Sequence, residues 1–228
     1  MTECSKIPDT APSDRSPARL IPTFGLSRQG RERDNQRTNM WNDLYADIVR
    51  FNKRKKPLTG RRIFHLLRKP GPMALFAYRL GRWVRQHQRR VIFFPVVATL
   101  KPLYWLLTGY VRTMYDIHLD STAEIGPGLF IGHFGGIHLS HCRLGAHCSI
   151  FQEVYLGPAA HGGDGPTVGD RVWFGPLATV DGPLRVGNNA TLGAGCVAVQ
   201  DVPPVSLVVG NPGRIVNLNY DNSKILDP

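Results

Sequence analysis

Two stretches decide the fold: 119-LDSTAEIGPGLFIGHFGGIHLSHCRLGAHCSIFQEVYLG-157 and 168-VGDRVWFGPLATVDGPLRVGNNATLGAGCVA-198. A branched aliphatic or aromatic residue returns every six positions, usually with Gly behind it. The first run is Leu119, Ile125, Ile131 and Ile137. After a one-residue slip come Leu144, Ile150 and Leu156. After the insert PAAHGGDGPT come Val168, Phe174, Val180, Val186, Leu192 and Ala198. Small or slim residues fill the slot four places on, at Cys148, Val154, Val172, Ala178, Ala190 and Cys196. A sustained period of six marks a parallel solenoid, in which each unit is a short flat strand plus a turn and three units close one triangular coil. The large side chain fills the interior, the small one fits beside it, and Gly lets the backbone turn tightly. The predicted fold is therefore mainly β: a left-handed parallel β-helix of hexapeptide repeats over residues 116–205, with an α-helical segment before it. Cys148 and Cys196 read as core thiols.

Upstream the period changes. Trp41, Leu44, Ile48 and Phe51 recur at helical spacing over 41–56, with Lys and Arg in the last turn where they suit the helix dipole. Pro57 and Gly60 end that helix. Further helices are expected over 61–69 and 72–90, with Tyr78, Leu80 and Trp83 pointing inward. The apolar stretch 91–110 has the length of a membrane span, but Pro95, Lys101 and Pro102 interrupt it. A buried helix pair or hinge is the expectation. Residues 41–115 thus form a basic α-helical domain. Residues 1–40, polar and poor in aromatics, read as a disordered tail, and 206–228 as a C-terminal tail.

The formal charge of +11 is unevenly spread. Residues 41–115 carry sixteen Lys/Arg against two Asp/Glu, whereas 116–228 carry five against ten. The basic segment suits an anionic ligand or peripheral contact with a membrane surface. No nucleic-acid motif accompanies it, so no nucleic-acid partner is expected. Four cysteines without a C-x-x-C pair, and an N-terminus without an apolar core, point to a cytoplasmic chain, and the basic segment adds the inner face of the membrane as an expected place of contact.

The repeats, the preceding basic helices and the ending 201-DVPPVSLVVGNPGRIV-216 resemble bacterial serine acetyltransferases and related O-acetyltransferases. So do IGPGLFIGHFGG (125–136), the Gly-rich insert after Leu156, and the opening helix LYADIVRFNKRK (44–55). The resemblance covers roughly residues 41–216. It implies a homotrimer or dimer of trimers, acetyl-CoA as acyl donor in a groove between subunits, and a small-molecule or saccharide hydroxyl as acceptor.

By the same matching, His133 in IGHFGG is the general base. A neutral imidazole near its natural pKa of about 6.5 suits proton removal from an alcohol, and it can return the proton to the departing thiolate. Asp116, Asp120 and His118 are the candidate partners of His133. Gly157, His161, Gly175, Ala178, Gly193 and Ala194 are the implied coenzyme A contacts. No metal is expected, since His138, His141 and His147 are spaced for different faces. The pattern departs from the family in three places, the first being His118, which stands where the family generally places an Asp. Gly132 stands where the family carries Asp before the catalytic His, and the insert reads HGGDGP where the family has Arg-His. L-Serine is the first expected acceptor and a sugar or exopolysaccharide the alternative. A non-catalytic scaffold is a third reading, which retention of His133 disfavours.

Overall fold

The structure, a computed structural model, describes residues 40–52, 57, 59–88, 94–159 and 163–226. Residues 1–39 of the expected disordered tail, the ends of the helices over 41–56 and 72–90, and His161 lie outside the described residues, while Met40 already belongs to a helix.

The hexapeptides fold as their spacing requires: two or three extended residues, then a turn. The strands gather into three faces. The first stacks β1 (Ile117–Leu119), β4 (Ile137–Leu139), β7 (Tyr155–Gly157), β10 (Thr179–Asp181) and β13 (Val197–Ala198). The second stacks β2 (Glu124–Ile125), β5 (Arg143–Leu144), β8 (Thr167–Val168) and β11 (Arg185–Val186). The third stacks β3 (Phe130–Ile131), β6 (Ser149–Ile150), β9 (Trp173–Phe174), β12 (Thr191–Leu192) and β14 (Leu207–Val209), and β15 (Arg214–Asn217) closes it antiparallel. Consecutive strands pass from face to face and every other ladder is parallel, so the chain winds a three-sided β-helix of about five turns.

Register explains the composition. Leu119, Leu139, Leu156, Val180 and Ala198 stack in one column; Ile131, Ile150, Phe174, Leu192 and Val208 stack in another. Cys148, Val154, Val172, Ala178, Ala190 and Cys196 fill the second inward slot and are all fully buried. Burial pushes the Cys142 and Cys148 thiols up to about 12, as apolar surroundings disfavour a thiolate.

One expectation about the repeat is corrected. Ile137 does not continue the six-residue run Leu119, Ile125, Ile131. It pairs with Ile117 in the small-residue slot, and Leu139 takes the expected place beside Leu119. Eight residues separate Ile131 from Leu139, where six separate Ile125 from Ile131. The two extra residues enlarge the turn His133–Gly136, and this turn carries the candidate base. The stretch expected to be a C-terminal tail is also structured. It supplies β14 and β15, then a short helix (Ser223–Leu226) that returns to bury Leu226.

Among the described residues four helices precede the solenoid: α1 (Met40–Phe51), α2 (Gly60–Leu67), α3 (Pro70–His87) and α4 (Phe94–Tyr115). In α1, Leu44 and Ile48 are buried, Phe51 packs on Phe130 with ring centroids 4.9 Å apart, and Trp41 is exposed. In α3, Tyr78 and Leu80 are buried, while Trp83 is half-buried and stacks on His87. In place of the buried helix pair or hinge expected over 91–110, the described part, from Phe94 on, is one helix. Pro102 lies inside α4 without ending it, although it removes a backbone donor. Nor is α4 buried: Val97 and Val111 face inward, whereas Leu103, Trp105, Leu106, Tyr110 and Met114 are exposed. No helix among the described residues is long and apolar enough to cross a membrane.

Charged side chains fasten the helices to the solenoid. Buried Asp47 accepts the Gly128 and Leu129 N–H groups at 2.7 and 3.0 Å and pairs with Arg79 at 3.1 Å. Arg79, also buried, donates to the Ile125 and Gly126 carbonyls, each at 2.6 Å. Arg50 reaches the Gly128, Cys148 and Leu226 carbonyls. The helices thereby satisfy the Gly128 and Leu129 amides and the Ile125 and Gly126 carbonyls, whereas the Cys148 carbonyl also accepts the Phe130 N–H.

Candidate active site

His133 stands at the corner where the third face passes into the first. The residues entering the first face at this corner share one unusual backbone state: Asp116, Gly136, Glu153, Leu177 and Gly195 all have φ between 50 and 66°. A left-handed residue turns the chain through the corner in every coil. In the His133 coil the longer turn puts the imidazole outside the wall, exposed and with no hydrogen-bond partner among the described residues.

Asp116 holds this turn. One of its carboxylate oxygens accepts the Gly136 N–H at 2.9 Å, and the other meets His118 Nε2 at 3.0 Å. The Gly136 N–H, then the His118 contact, hold the Asp116 carboxyl below its ordinary value. Tyr115 packs edge-on to Phe134 at 5.5 Å, steadying the turn from the same side. His118 in turn stacks on His138, with centroids 4.4 Å apart and planes 11° apart. Burial lowers the His138 pKa, and the His118 charge adds to the shift.

The expected orientation of the His133 ring by Asp116 or Asp120 is therefore corrected. Asp116 acts on the turn's backbone and not on the ring. Asp120 lies beyond the far end of β1, at another corner, where its carboxylate accepts the Thr122 N–H at 2.8 Å. His118 is an outward residue in mid-strand, one link removed through Asp116. The donor atoms of Asp116, His118 and His138 lie within 4.8 Å of one another. Both Asp116 oxygens are already engaged, so this cluster is accounted for as the brace of the turn.

The implied coenzyme A contacts separate into three groups. Gly175, Gly193 and Ala194 follow the column of Ile131, so they lie on the same edge as His133. Ala194 is exposed three coils away, roughly 14 Å at ~4.8 Å per coil. Gly175 is buried, and a Cβ there would lie 2.7 Å from the Ala194 nitrogen, so its small size serves coil stacking. Ala178 is corrected to a core residue, fully buried with its methyl inside the solenoid. Gly157 follows the first face on a different corner, opposite Asp181.

A cleft of ≈ 990 Å³ opens beside His133, between the helices and the third face. His133, Phe134 and Phe130 form the solenoid wall. Phe51, Arg61, Arg62, His65 and Lys69 contribute from the helical side. Neither Asp nor Glu lines it among the described residues. Reading the sequence registered these cations only as a basic segment. No local motif marks them, because they reach His133 through the packing of α2 and α3.

No protein-family model matches the chain. The chain is 33% identical to the serine acetyltransferase of Synechococcus elongatus over 192 residues, 83% of this chain and 72% of that protein. It is 35% identical to the serine acetyltransferase of Mycobacterium tuberculosis over 150 residues, 64% of this chain and 61% of that protein. The crystal structure of Neisseria gonorrhoeae serine acetyltransferase in complex with serine superposes with a TM-score of 0.62 at 29% identity, over 82% of this chain and 72% of that one.

Proposed function

Because the chain belongs to the serine acetyltransferase family, we propose that it transfers an acetyl group from acetyl-CoA to the hydroxyl of a small acceptor, L-serine by the precedent of its relatives. The observation that carries this reading is the enlarged turn that sets His133 outside the solenoid wall, at the head of an edge bearing Gly193 and Ala194 and at the mouth of a cleft.

His133 takes the proton of the acceptor hydroxyl as its oxygen attacks the thioester carbon. The tetrahedral intermediate collapses, the C–S bond breaks, and the imidazolium returns the proton to the departing thiolate. Asp116, through Gly136, keeps the turn in place. Acetyl-CoA lies along the His133–Ala194 edge, which a neighbouring copy closes in a homotrimer. The chain works in the cytoplasm, where acetyl-CoA and unpaired thiols coexist.

Thiol release from acetyl-CoA in the presence of L-serine tests the proposal. His133→Ala is expected to lower turnover by ~10²–10⁴-fold. Full turnover in that variant sinks the mechanism. A saccharide acceptor is a second reading, favoured by the size of the cleft, which lies at the top of the range for small-molecule sites.

A further inference from the structure

The outer side of α4 has a pattern that neither the solenoid nor acetyl transfer uses. On its inner side, Val97, Leu100, Tyr104 and Leu107 pack with Leu80 and Val84 of α3, and Val111 joins the solenoid core. The outer side carries a second stripe at the same helical spacing: Val96, Thr99, Leu103, Leu106, Tyr110 and Met114, all exposed. Thr99 returns its hydroxyl to the Val96 carbonyl at 2.9 Å, so it is satisfied within the helix. Only uncharged residues lie between this stripe and Trp105, which shares the far border with Lys101 and Arg112. Trp105 and Leu106 are 71% and 72% exposed. At ~1.5 Å per residue the stripe runs for about 27 Å, and no Asp or Glu occurs anywhere in α4. An exposed apolar stripe of this length marks an interaction surface.

We propose that this face of α4 lies on an anionic phospholipid bilayer, in the plane of the surface. Charge selects this partner. Residues 41–115 hold sixteen Lys/Arg, and their two carboxylates, Asp43 and Asp47, are buried against Arg79. Two copies meeting through α4 would set these like charges against each other, whereas anionic headgroups neutralise them. Leu103, Leu106 and Met114 enter the acyl boundary. Trp105 and Tyr110, each an apolar ring with a polar tip, sit at headgroup level, with Lys101 and Arg112 beside the phosphates. The helix is not long and apolar enough to cross a membrane, so it rests on one. It ends on Tyr115, which packs on Phe134 of the catalytic turn, so docking ties the His133 site to the surface. Docking does not depend on acetyl transfer, and its test reads no turnover.

Co-sedimentation of the full chain with vesicles is the test, using phosphatidylcholine alone and phosphatidylcholine mixed with phosphatidylglycerol. The chain is expected to bind the anionic vesicles and to bind them less tightly as salt is raised. Trp105→Ser/Leu106→Ser should weaken that binding at least about tenfold, since each large apolar side chain withdrawn from water contributes about that factor. Lys101→Gln, which leaves the apolar stripe intact, should weaken it about fivefold, the worth of one basic residue at an anionic surface. The emission of Trp105, isolated by difference from Trp105→Phe, should shift to the blue on binding. No binding, equal binding to both kinds of vesicle, or unchanged Trp105 emission overturns the assignment. So does binding unchanged in the double variant, which would leave the lipid to the basic segment without α4. A double variant that loses its oligomeric state in vesicle-free buffer, measured by light scattering, also overturns it and gives the face to a neighbouring copy.

Discussion

The solenoid and the helical segment solve the same problem, satisfying buried backbone, by different means. In the solenoid each coil's amides and carbonyls pair with the next coil, and the side chains only have to fill two inward slots of alternating size. The helices satisfy their own backbone. They meet the solenoid through a few buried charges, Asp47, Arg79 and Arg50, that reach into turn amides and carbonyls. The first solution is redundant and spread over a dozen repeats. The second is concentrated in single residues. The cleft lies where the two meet, so its shape depends on the concentrated contacts more than on the repeats.

Removing one of those contacts should have the largest effect. Asp47→Ala leaves buried Arg79 only its longer ion pair with Asp43, at 3.5 Å, and frees the Gly128 and Leu129 amides, at a cost of ~3 kcal/mol, the low end for breaking a buried pair. Denaturant unfolding gives the magnitude, and hydrogen exchange should show protection lost at Gly128 and Leu129 before the Ile150–Phe174 ladder. Uniform loss across the solenoid would erase the distinction drawn between the two regions.

Asp116→Asn sharpens the comparison at the catalytic turn. The turn should loosen, and kcat should fall by ~10–100-fold with little change in the KM for acetyl-CoA, the scale expected when a catalytic group shifts by about an ångström. The sign of the pH dependence follows from the lowered Asp116 pKa: the ionised carboxylate is the form that Gly136 and His118 hold. The brace is complete above the ordinary carboxylate value and is lost as pH falls through the lowered folded value. NMR titration of Asp116 should therefore give a midpoint below that of an unstructured peptide, and His118→Ala should move it back upward.

Within the solenoid a single change should matter less. Ala190→Val overfills one small slot and is expected to cost ~1–3 kcal/mol, measured by the same unfolding experiment, with the catalytic turn unaffected. The smallest effect concerns the thiols. Cys142 and Cys148, pushed up to about 12 by burial, should stay unmodified by a disulfide reagent at pH 8 in the folded protein and react at once in denaturant. Rapid modification of either in the native state would show that the coils open.

Much of this was legible because a solenoid writes its geometry into local spacing. The recurrence of Ile125, Ile150, Phe174 and Leu192 names the inward columns without reference to anything distant in the chain, whereas His133 is singled out by the likeness of IGHFGG to serine acetyltransferases and not by spacing. Reading failed where geometry is set by neighbours. Ile137 looked like the next column residue because the enlarged turn is visible only when Leu139 is seen against Leu119. Ala178 looked available to a ligand because its small size serves core and contact equally well.

The sequence by itself determined the three-sided coil and the two inward slots of its repeats, because a period of six is a local constraint that each coil repeats. The tertiary structure alone decided that Asp116 braces the turn through Gly136 and that Arg61 and Lys69 face His133 across a cleft. Those relations join residues twenty or more positions apart, and only packing brings such residues within reach of one another.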